Sequence, residues 1–148
     1  MRTLYITKND AGQRLDKFLT KAVKALPKSL LYKFIRTKKI KGNRKRADIG
    51  YMLCEGDSVE LFISDEFFAE DAADTAFTRL TPHLDIVYED ENILLVDKQP
   101  GIIVHSDDDE EINTLIGHIK AYLYRKGEYD PASEQSFAPS LCNRIDRN

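Results

Sequence analysis

The sequence predicts an α+β protein with a basic first half and an acidic second half. Residues 1–63 hold 15 Lys and Arg against 6 Asp and Glu, whereas residues 64–148 hold 7 against 19. Apolar residues recur at helical spacing near the N-terminus, and short Val- and Ile-rich runs alternate with turn residues farther on. These observations predict two small domains, at 1–63 and 81–148, joined by an acidic linker at 64–80.

Two amphipathic helices are predicted in the first domain. One apolar face recurs at i, i+3, i+4, i+7, i+8 and i+11, and it consists of Leu15, Phe18, Leu19, Ala22, Val23 and Leu26. Asp10 with Gln13 predicts a capping box before this helix, and Pro27 ends it. Ser29 is predicted to cap the second helix, "LLYKFIRTK".

A small twisted sheet with a basic turn is predicted to follow the helices. Gly42-Asn43 and Gly56-Asp57 are turn signals. Val59, Leu61 and Ile63 alternate with Ser58, Glu60 and Phe62, as expected for a strand with one buried face.

The linker at 64–80 is rich in Ala and Asp and has no clear helical or strand period. Its aromatic residues, Phe67, Phe68 and Phe77, have the size and apolarity to dock on a neighbouring surface. The segment therefore predicts a connection rather than a core element.

The second domain is predicted to contain three strands and a helix. "LDIVYEDENILLVDKQPGIIVHS" predicts strands at 84–88, 93–96 and 102–105. The helix has an apolar face of Leu115, Ile116, Ile119, Tyr122 and Leu123. Asn113 or Thr114 is expected to cap its start, and Gly127 follows its end.

Several classes of protein are disfavoured. No apolar run approaches the ~20 residues of a membrane span, and the N-terminus lacks the apolar core of a signal peptide. Cys54 and Cys142 show no paired spacing, which argues against a disulfide framework or a zinc motif and favours the cytoplasm.

No metal site is predicted. His83, His105 and His118 are not spaced with a second ligand on one helix face. The acidic run 107–111 lacks the spaced pattern of a calcium loop, and charge at a helix N-terminus explains it better.

A cluster of cations predicts binding to nucleic acid. Lys and Arg neutralise phosphates and release condensed counterions. Charge runs are often only solvated faces, but seven of these nine residues fall within eleven positions beside a tight turn. The predicted RNA-binding residues are Arg14, Lys17, Arg36, Lys38, Lys39, Lys41, Arg44, Lys45 and Arg46.

The first domain also resembles a known RNA-binding module. "RLDKFL", a helix closing in "FIRTKKIKGN", and then "LCEGDSV" are similar to the alpha-L-type module of ribosomal small-subunit proteins, tyrosyl-tRNA synthetases and several rRNA-modifying enzymes. The resemblance covers about residues 12–63. It implies that the second helix and the following turn face structured RNA.

The second half resembles the RluA-type pseudouridine synthases. "VYEDENILLVDKQPGIIVH" is similar to that family's first block, although its proline is displaced by one position. The ending "NRIDRN" is similar to the family's His-Arg-Leu-Asp-Arg motif, which Thr-x-Gly follows. Residues 143–147 carry Asn in place of His and Ile in place of Leu.

This second resemblance implies the isomerisation of uridine to pseudouridine in RNA, without a cofactor. Asp146 is then the nucleophile, attacking either C1′ of the ribose or C6 of uracil. Arg144 is implied to fill the position that the flipped uridine vacates, and Arg147 with Arg144 would favour the charged carboxylate.

The family also has a mixed, mostly antiparallel catalytic sheet, with a tyrosine and a basic residue beyond the aspartate motif. Residues 81–148 are therefore expected to be the N-terminal part of a catalytic domain. We expect this part to be inactive alone, and poorly ordered or dependent on another chain, with its strands leaving unpaired edges and exposed apolar faces.

Two other classes stay open. The chain could be a non-catalytic RNA-binding protein that uses only the basic module. It could instead be an interaction protein whose acidic half competes with RNA for the basic half. The module favours rRNA over tRNA as the partner, and no membrane or small-molecule cofactor is expected.

Overall fold

A computed structural model describes residues 1–68, 72–105 and 112–143, with only the backbone described at 72–74. The described residues form two compact units. Unit 1 contains residues 1–68 and 132–137, and unit 2 contains 72–105, 112–131 and 138–143. Helices and antiparallel sheets occur together, so the predicted α+β class is confirmed.

Unit 1 contains a four-stranded antiparallel sheet and two helices. The sheet has the strand order β1-β4-β2-β3. Its strands are β1 (Arg2–Tyr5), β2 (Ile40–Gly42), β3 (Lys45–Arg46) and β4 (Ser58–Leu61), and its helices are α1 (Leu15–Ala22) and α2 (Lys28–Arg36).

The core of unit 1 lies between the two helices and the sheet. The spacing that predicted the helices places Phe18 and Leu19 of α1 at full burial, with Leu31 and Ile35 of α2 beside them. The sheet contributes residues that are also fully buried, and these are Ile40, Val59 and Leu61. Apolar burial is therefore what holds α2 against the sheet.

Neither predicted side-chain cap in unit 1 is present. Helix α1 begins one residue after Arg14, and no side chain caps it. Backbone carbonyls bind its first N–H groups instead: the amide of Leu15 donates to Tyr51 at 2.8 Å, and that of Asp16 donates to Ile49 at 3.3 Å. Ser29 lies inside the first turn of α2, after its N-cap Pro27, so it cannot cap that helix.

Asp10, one of the predicted capping residues, is completely buried in unit 1. Its Oδ2 accepts a 2.7 Å hydrogen bond from Thr7 Oγ1 and a 3.3 Å hydrogen bond from Gln135 Nε2. Its Oδ1 accepts a 2.5 Å hydrogen bond from Ser136 Oγ. A buried carboxylate needs such donors, and here residues more than 120 positions away supply two of them.

A two-residue hairpin connects β2 and β3. Asn43 and Arg44 have φ angles of 49° and 63°, and Gly42 pairs with Lys45 across the ladder. Positive φ at both central residues is the type I′ geometry that fits the twist of a hairpin. The predicted Gly42-Asn43 turn is confirmed one residue later.

Asp57 anchors this hairpin to the turn before β4. Its Oδ1 accepts a hydrogen bond from Asn43 Nδ2 at 2.9 Å, and its Oδ2 accepts hydrogen bonds from the Cys54 amide at 2.9 Å and the Tyr51 hydroxyl at 3.0 Å. These donors favour the charged carboxylate and lower the pKa of Asp57, with the Cys54 amide as the largest cause.

The acidic segment contains two 3₁₀ helices, Asp65–Phe68 and Ala72–Arg79, which its lack of a 3.6-residue period did not predict. Phe67 packs edge-to-face on Phe34 with ring centroids 6.2 Å apart. The Arg2 guanidinium lies 4.9 Å from the Phe68 ring centre. Two of the aromatic residues of the segment therefore dock on unit 1.

Unit 2 contains the hairpin β5 (Asp85–Glu89) and β6 (Leu94–Asp97) and the helix α3 (Leu115–Lys126). The predicted strands at 84–88 and 93–96 are confirmed with a shift of one residue. The strand predicted at 102–105 is wrong. The carbonyls of Ile103 and Val104 instead accept hydrogen bonds from the first amides of α3, those of Leu115 at 2.8 Å and Ile116 at 3.3 Å.

Helix α3 begins and ends as its sequence predicts. Thr114 Oγ1 accepts a 3.1 Å hydrogen bond from the Gly117 amide, and Gly127 ends the helix with a φ of 81°. A Cβ on Gly117 would lie 2.1 Å from the carbonyl oxygen of Ile112, so only glycine fits there. The start of α3 is therefore defined by both a cap and a close backbone approach.

Helix α3 packs against the rest of unit 2 through two apolar clusters and one polar network. Val104 joins Leu115 and Ile119 in one cluster, while Phe77 joins Ala121 and Tyr129 in the other. Glu89 of β5 accepts a 2.7 Å hydrogen bond from the Tyr122 hydroxyl and forms an ion pair with Lys126. Side chains on β5 and β6 remain exposed, among them Val87, Tyr88 and Leu95.

Removing the Ser136 hydroxyl should destabilise unit 1. Among the described residues, Ser136 Oγ is the only donor to Oδ1 of the buried Asp10. Ser136→Ala should therefore lower the free energy of unfolding by about 1–3 kcal/mol. Urea unfolding, with hydrogen exchange at unit 1 amides, measures this. Ser29→Ala is the control, because exposed Ser29 lacks a side-chain hydrogen bond within the described chain. Wild-type stability in Ser136→Ala would contradict the assignment.

Asp57→Ala should destabilise the hairpin region by about 1–2 kcal/mol, since three donors lose a charged acceptor. The pKa of Asp57 is lowered by folding, so its contribution is present above the ordinary Asp pKa of about 3.9 and is lost as pH falls through the lower folded pKa. The difference in free energy of unfolding between wild type and variant, measured with urea, should therefore become smaller at acidic pH. Glu55→Ala, in the same turn and exposed, should behave as wild type. An equal loss in both variants would exclude a specific role for Asp57.

Candidate nucleic-acid interface

Most of the predicted RNA-binding residues lie on two neighbouring parts of unit 1. Arg36 is in the last turn of α2, and Lys38 follows it with a φ of 62°. Lys39 precedes β2, and Lys41 lies within it. Arg44 is at the hairpin tip, and Lys45 and Arg46 form β3, the exposed edge of the sheet. Cations therefore follow one another along the end of α2, the tight turn and the β2–β3 hairpin.

Two of these lysines lie over aromatic rings. Lys39 Nζ is 5.3 Å from the ring centre of Phe34, and Lys41 Nζ is 5.1 Å from that of Phe62. A cation over a ring face is attracted by the ring quadrupole. The rings therefore restrict where these ammonium groups lie, without neutralising them.

The hairpin tip is positioned by Glu60, which sequence inspection did not single out. Glu60 is 8% exposed, its Oε2 accepts a 3.1 Å hydrogen bond from the Arg44 amide, and its Oε1 accepts one from Ser58 Oγ. The strand alternation marks Glu60 as solvent-facing, which explains why its anchoring role was missed. A buried carboxylate here fixes the backbone that carries Arg44.

Arg14 and Lys17 are separate from this group. Arg14 forms a bidentate ion pair with Asp16, with both N–O distances at 3.1 Å. The Asp16 carboxylate therefore offsets the charge of Arg14 at the start of α1. Lys17 is exposed one residue beyond Asp16.

An open cleft of about 420 Å³ lies between α2 and the chain that follows β3. It brings together Arg36 and Arg46, which sequence analysis had grouped, with two residues of α2 that it had not, Tyr32 and Lys33. A helical wheel would place Tyr32, Lys33 and Arg36 on the exposed side of α2, since Leu31 and Ile35 are buried. Asp48 is the carboxylate in the lining.

The three cations of the cleft form no ion pairs with other described residues. Within the part of the chain that the structure describes, no carboxylate oxygen lies within 4.0 Å of the charged groups of Lys33, Arg36 or Arg46. Asp48 Oδ1 instead accepts a 2.8 Å hydrogen bond from the Gly50 amide. The cleft is thus a polar surface with uncompensated positive charge, as expected for a site that binds an anionic ligand.

A second, smaller cavity of about 230 Å³ lies in unit 2. His83, Asp85, Asp97, Lys98 and Gln99 contribute its polar lining. Gln99 Nε2 donates a 2.6 Å hydrogen bond to Asp85 Oδ2.

His118 lies beside this region and is held neutral. The His83 amide can only donate, so Nδ1 of His118 accepts its 3.0 Å hydrogen bond. The proton is then on Nε2, which donates to Asn113 Oδ1 at 2.8 Å. Burial lowers the pKa of His118, and the neighbouring His83 lowers it further. His83 and His118 are 35 positions apart, so their spacing in the sequence does not predict this contact.

The predicted catalytic and substrate-binding residues, Asp146, Arg144 and Arg147, lie outside the described residues. Across 1–68, 72–105 and 112–143, no group of three or more His, Cys, Asp or Glu is placed to hold a metal ion. No helix in those ranges has the length and apolarity to cross a membrane.

Comparison with known protein families identifies the basic module. Residues 13–59 match the S4 domain. This range contains α1, α2, the β2–β3 hairpin and the start of β4, together with all nine predicted RNA-binding residues. The RNA-binding module predicted at the N-terminus is thereby confirmed as an S4 domain.

Curated relatives extend the similarity across the chain. A protein of Mycoplasma capricolum, named as an uncharacterized RNA pseudouridine synthase, is 40% identical over 99% of this chain and 47% of its own length. Ribosomal large subunit pseudouridine synthase C of Escherichia coli K12 is 34% identical over 71% of this chain and 34% of its own.

The same enzyme of Buchnera aphidicola from Acyrthosiphon pisum is 35% identical over 69% and 33%. The chain thus spans from a third to about half of the length of the relatives it matches. These matches agree with the resemblance to the RluA-type enzymes. The chain carries an N-terminal S4 domain, and it is similar to a protein named RNA pseudouridine synthase over 99% of its length and to a ribosomal large subunit pseudouridine synthase over 71%.

Proposed function

We propose that the chain is part of an RluA-type RNA pseudouridine synthase that binds structured RNA through unit 1 and isomerises a uridine with Asp146. The observation that carries this proposal is the 40% identity to a protein named RNA pseudouridine synthase along 99% of the chain. The S4 domain at 13–59 supports the RNA-binding part of the proposal independently.

The RNA-binding role is supported by the charge and position of the cations in unit 1. Arg36, Lys38, Lys39, Lys41, Arg44, Lys45 and Arg46 follow one another along the end of α2 and the β2–β3 hairpin. Lysine and arginine on such a compact surface bind phosphates and release condensed counterions. RNA affinity should therefore fall steeply with salt.

The catalytic role is supported by the resemblance of residues 143–147 to the aspartate motif of the RluA-type enzymes. Uridine inside a stack is inaccessible, so the enzyme must flip it out at a cost of about a few kcal/mol. We assign Arg144 to the vacated position, where a planar guanidinium can stack and hydrogen-bond. Arg147, with Arg144, would favour the ionised form of Asp146, which is the attacking form.

We further propose that the RNA is rRNA of the large ribosomal subunit, in the cytoplasm. The Escherichia coli and Buchnera relatives support this, because both are named ribosomal large subunit pseudouridine synthases.

Asp146→Asn should abolish pseudouridine formation in the protein expressed with its full reading frame, since the amide is not a nucleophile of this kind. RNA affinity should stay nearly unchanged, because the cations of unit 1 are intact. Pseudouridine in large-subunit rRNA is measured by carbodiimide modification and primer extension, and affinity is measured by filter binding.

Glu91→Gln, an equivalent change in the exposed turn between β5 and β6, is the matched control and should retain activity. Activity in Asp146→Asn would exclude Asp146 as the nucleophile. A wild-type protein that binds rRNA but forms no pseudouridine would favour a non-catalytic RNA-binding protein instead.

A further inference from the structure

The cleft of unit 1 differs in chemistry from the rest of the cationic surface. The cleft combines cations with an aromatic ring, an apolar floor and a carboxylate in one concave surface. Tyr32 is 42% exposed, while Ile35 and Ala47 are buried beneath the opening. Three cations, Lys33, Arg36 and Arg46, surround these groups.

We propose that this cleft binds one unpaired nucleotide of the RNA, with its base stacked on Tyr32 and its phosphate held by Arg36 and Arg46. The proposal rests on the RNA binding proposed above and identifies the RNA feature that unit 1 selects. Unpaired nucleotides in bulges and loops have exposed base faces, which stack on aromatic side chains and arginines.

The size of the cleft fits one nucleotide and not a duplex. Its volume of about 420 Å³ lies in the lower part of the range of small-ligand sites. An A-form helix offers phosphates and 2′-hydroxyl groups along a wide, shallow groove, and it has no free base face to place on Tyr32. The exposed hairpin, with Lys45 at the sheet edge and outside the cleft lining, is the better surface for paired RNA.

Asp48 argues against a ligand that is only a phosphate. Its Oδ1 is bound by the Gly50 amide, whereas its Oδ2 has no donor among the described residues. A carboxylate in the lining repels a bare anion but can accept a hydrogen bond from the N–H on a base edge. Cations, ring and carboxylate together therefore suit a nucleotide.

The stacking residue can be tested without disturbing the fold, because Tyr32 is exposed and makes no side-chain hydrogen bond in the described chain. Two hairpin RNAs of equal length are compared, one fully paired and one with a single-nucleotide bulge. The 148-residue chain should bind the bulged RNA about 10-fold more tightly than the fully paired RNA. This factor is within the range that one base stacked on an aromatic side chain contributes to affinity. Tyr32→Leu should remove this preference, and Tyr32→Phe should retain it.

Two controls separate the cleft from the general cationic surface. Tyr5→Leu makes the same change at an exposed tyrosine of β1 that does not line the cleft, and it should keep the preference. Lys45 lies outside the cleft lining, so Lys45→Ala should lower the affinity for both RNAs by similar factors. Thermal unfolding midpoints are recorded for each variant, to establish that unit 1 is folded.

Equal affinity of the wild type for both RNAs would overturn the nucleotide site while leaving RNA binding by unit 1 intact. Retention of the preference in folded Tyr32→Leu would also overturn it. Failure of the wild type to bind either RNA would contradict the proposed RNA-binding function itself.

Discussion

The burial of α2 against the sheet is the constraint on which the functional surface of unit 1 depends. Leu31 and Ile35 face a core that includes Ile40, Val59 and Leu61, all at 0–2% exposure. Helix and strand side chains are therefore fixed relative to each other. Since Arg36 follows Ile35 and the β3 strand pairs with β2, this packing sets the distance across the cleft between Arg36 and Arg46. The packing of apolar side chains in the core thus positions the charged groups of Arg36 and Arg46.

Two carboxylates then fix the local backbone that carries the cations. Asp57 binds Asn43, and Glu60 binds the Arg44 amide, so both residues with positive φ in the hairpin are anchored. Hydrogen bonds to charged acceptors are stronger than neutral ones. Negative residues inside a basic module therefore support its positive surface rather than cancelling it. Asp10 is a third carboxylate of unit 1 that accepts such hydrogen bonds, and its donors include Ser136.

Much of the fold could be predicted from the sequence, because its signals are local. Helical spacing located α1, α2 and α3, and the Gly42-Asn43 turn located the hairpin. Two of the errors involve partners that lie farther along the chain. The spacing of Asp10 and Gln13 predicts a helix cap, but the Asp10 carboxylate accepts hydrogen bonds from Gln135 and Ser136. The apolar run at 102–105 predicts a strand, yet the carbonyls of Ile103 and Val104 accept hydrogen bonds from the first amides of α3.

The candidate site was predictable to a similar extent. The clustered cations and the module resemblance identified the RNA-binding region, which the S4 match covers. Tyr32, Lys33, Asp48 and Glu60 were not found. Tyr32, Lys33 and Asp48 meet only because α2 approaches the chain after β3. Glu60 acts through the pairing of β4 with β2, which brings it to the Arg44 amide. No period or motif encodes either approach. His83 and His118 were likewise missed as neighbours, because tertiary packing alone brings their rings to a centroid distance of 6.1 Å.

The most direct test of this account is an amide chemical-shift map of the ¹⁵N-labelled 148-residue chain during titration with a structured rRNA fragment. The account predicts that the largest perturbations fall on α2, the β2–β3 hairpin and residues 46–49, and that they disappear at high salt. Perturbations confined to unit 2, or to β1 and α1, with residues 28–49 unaffected, would contradict it.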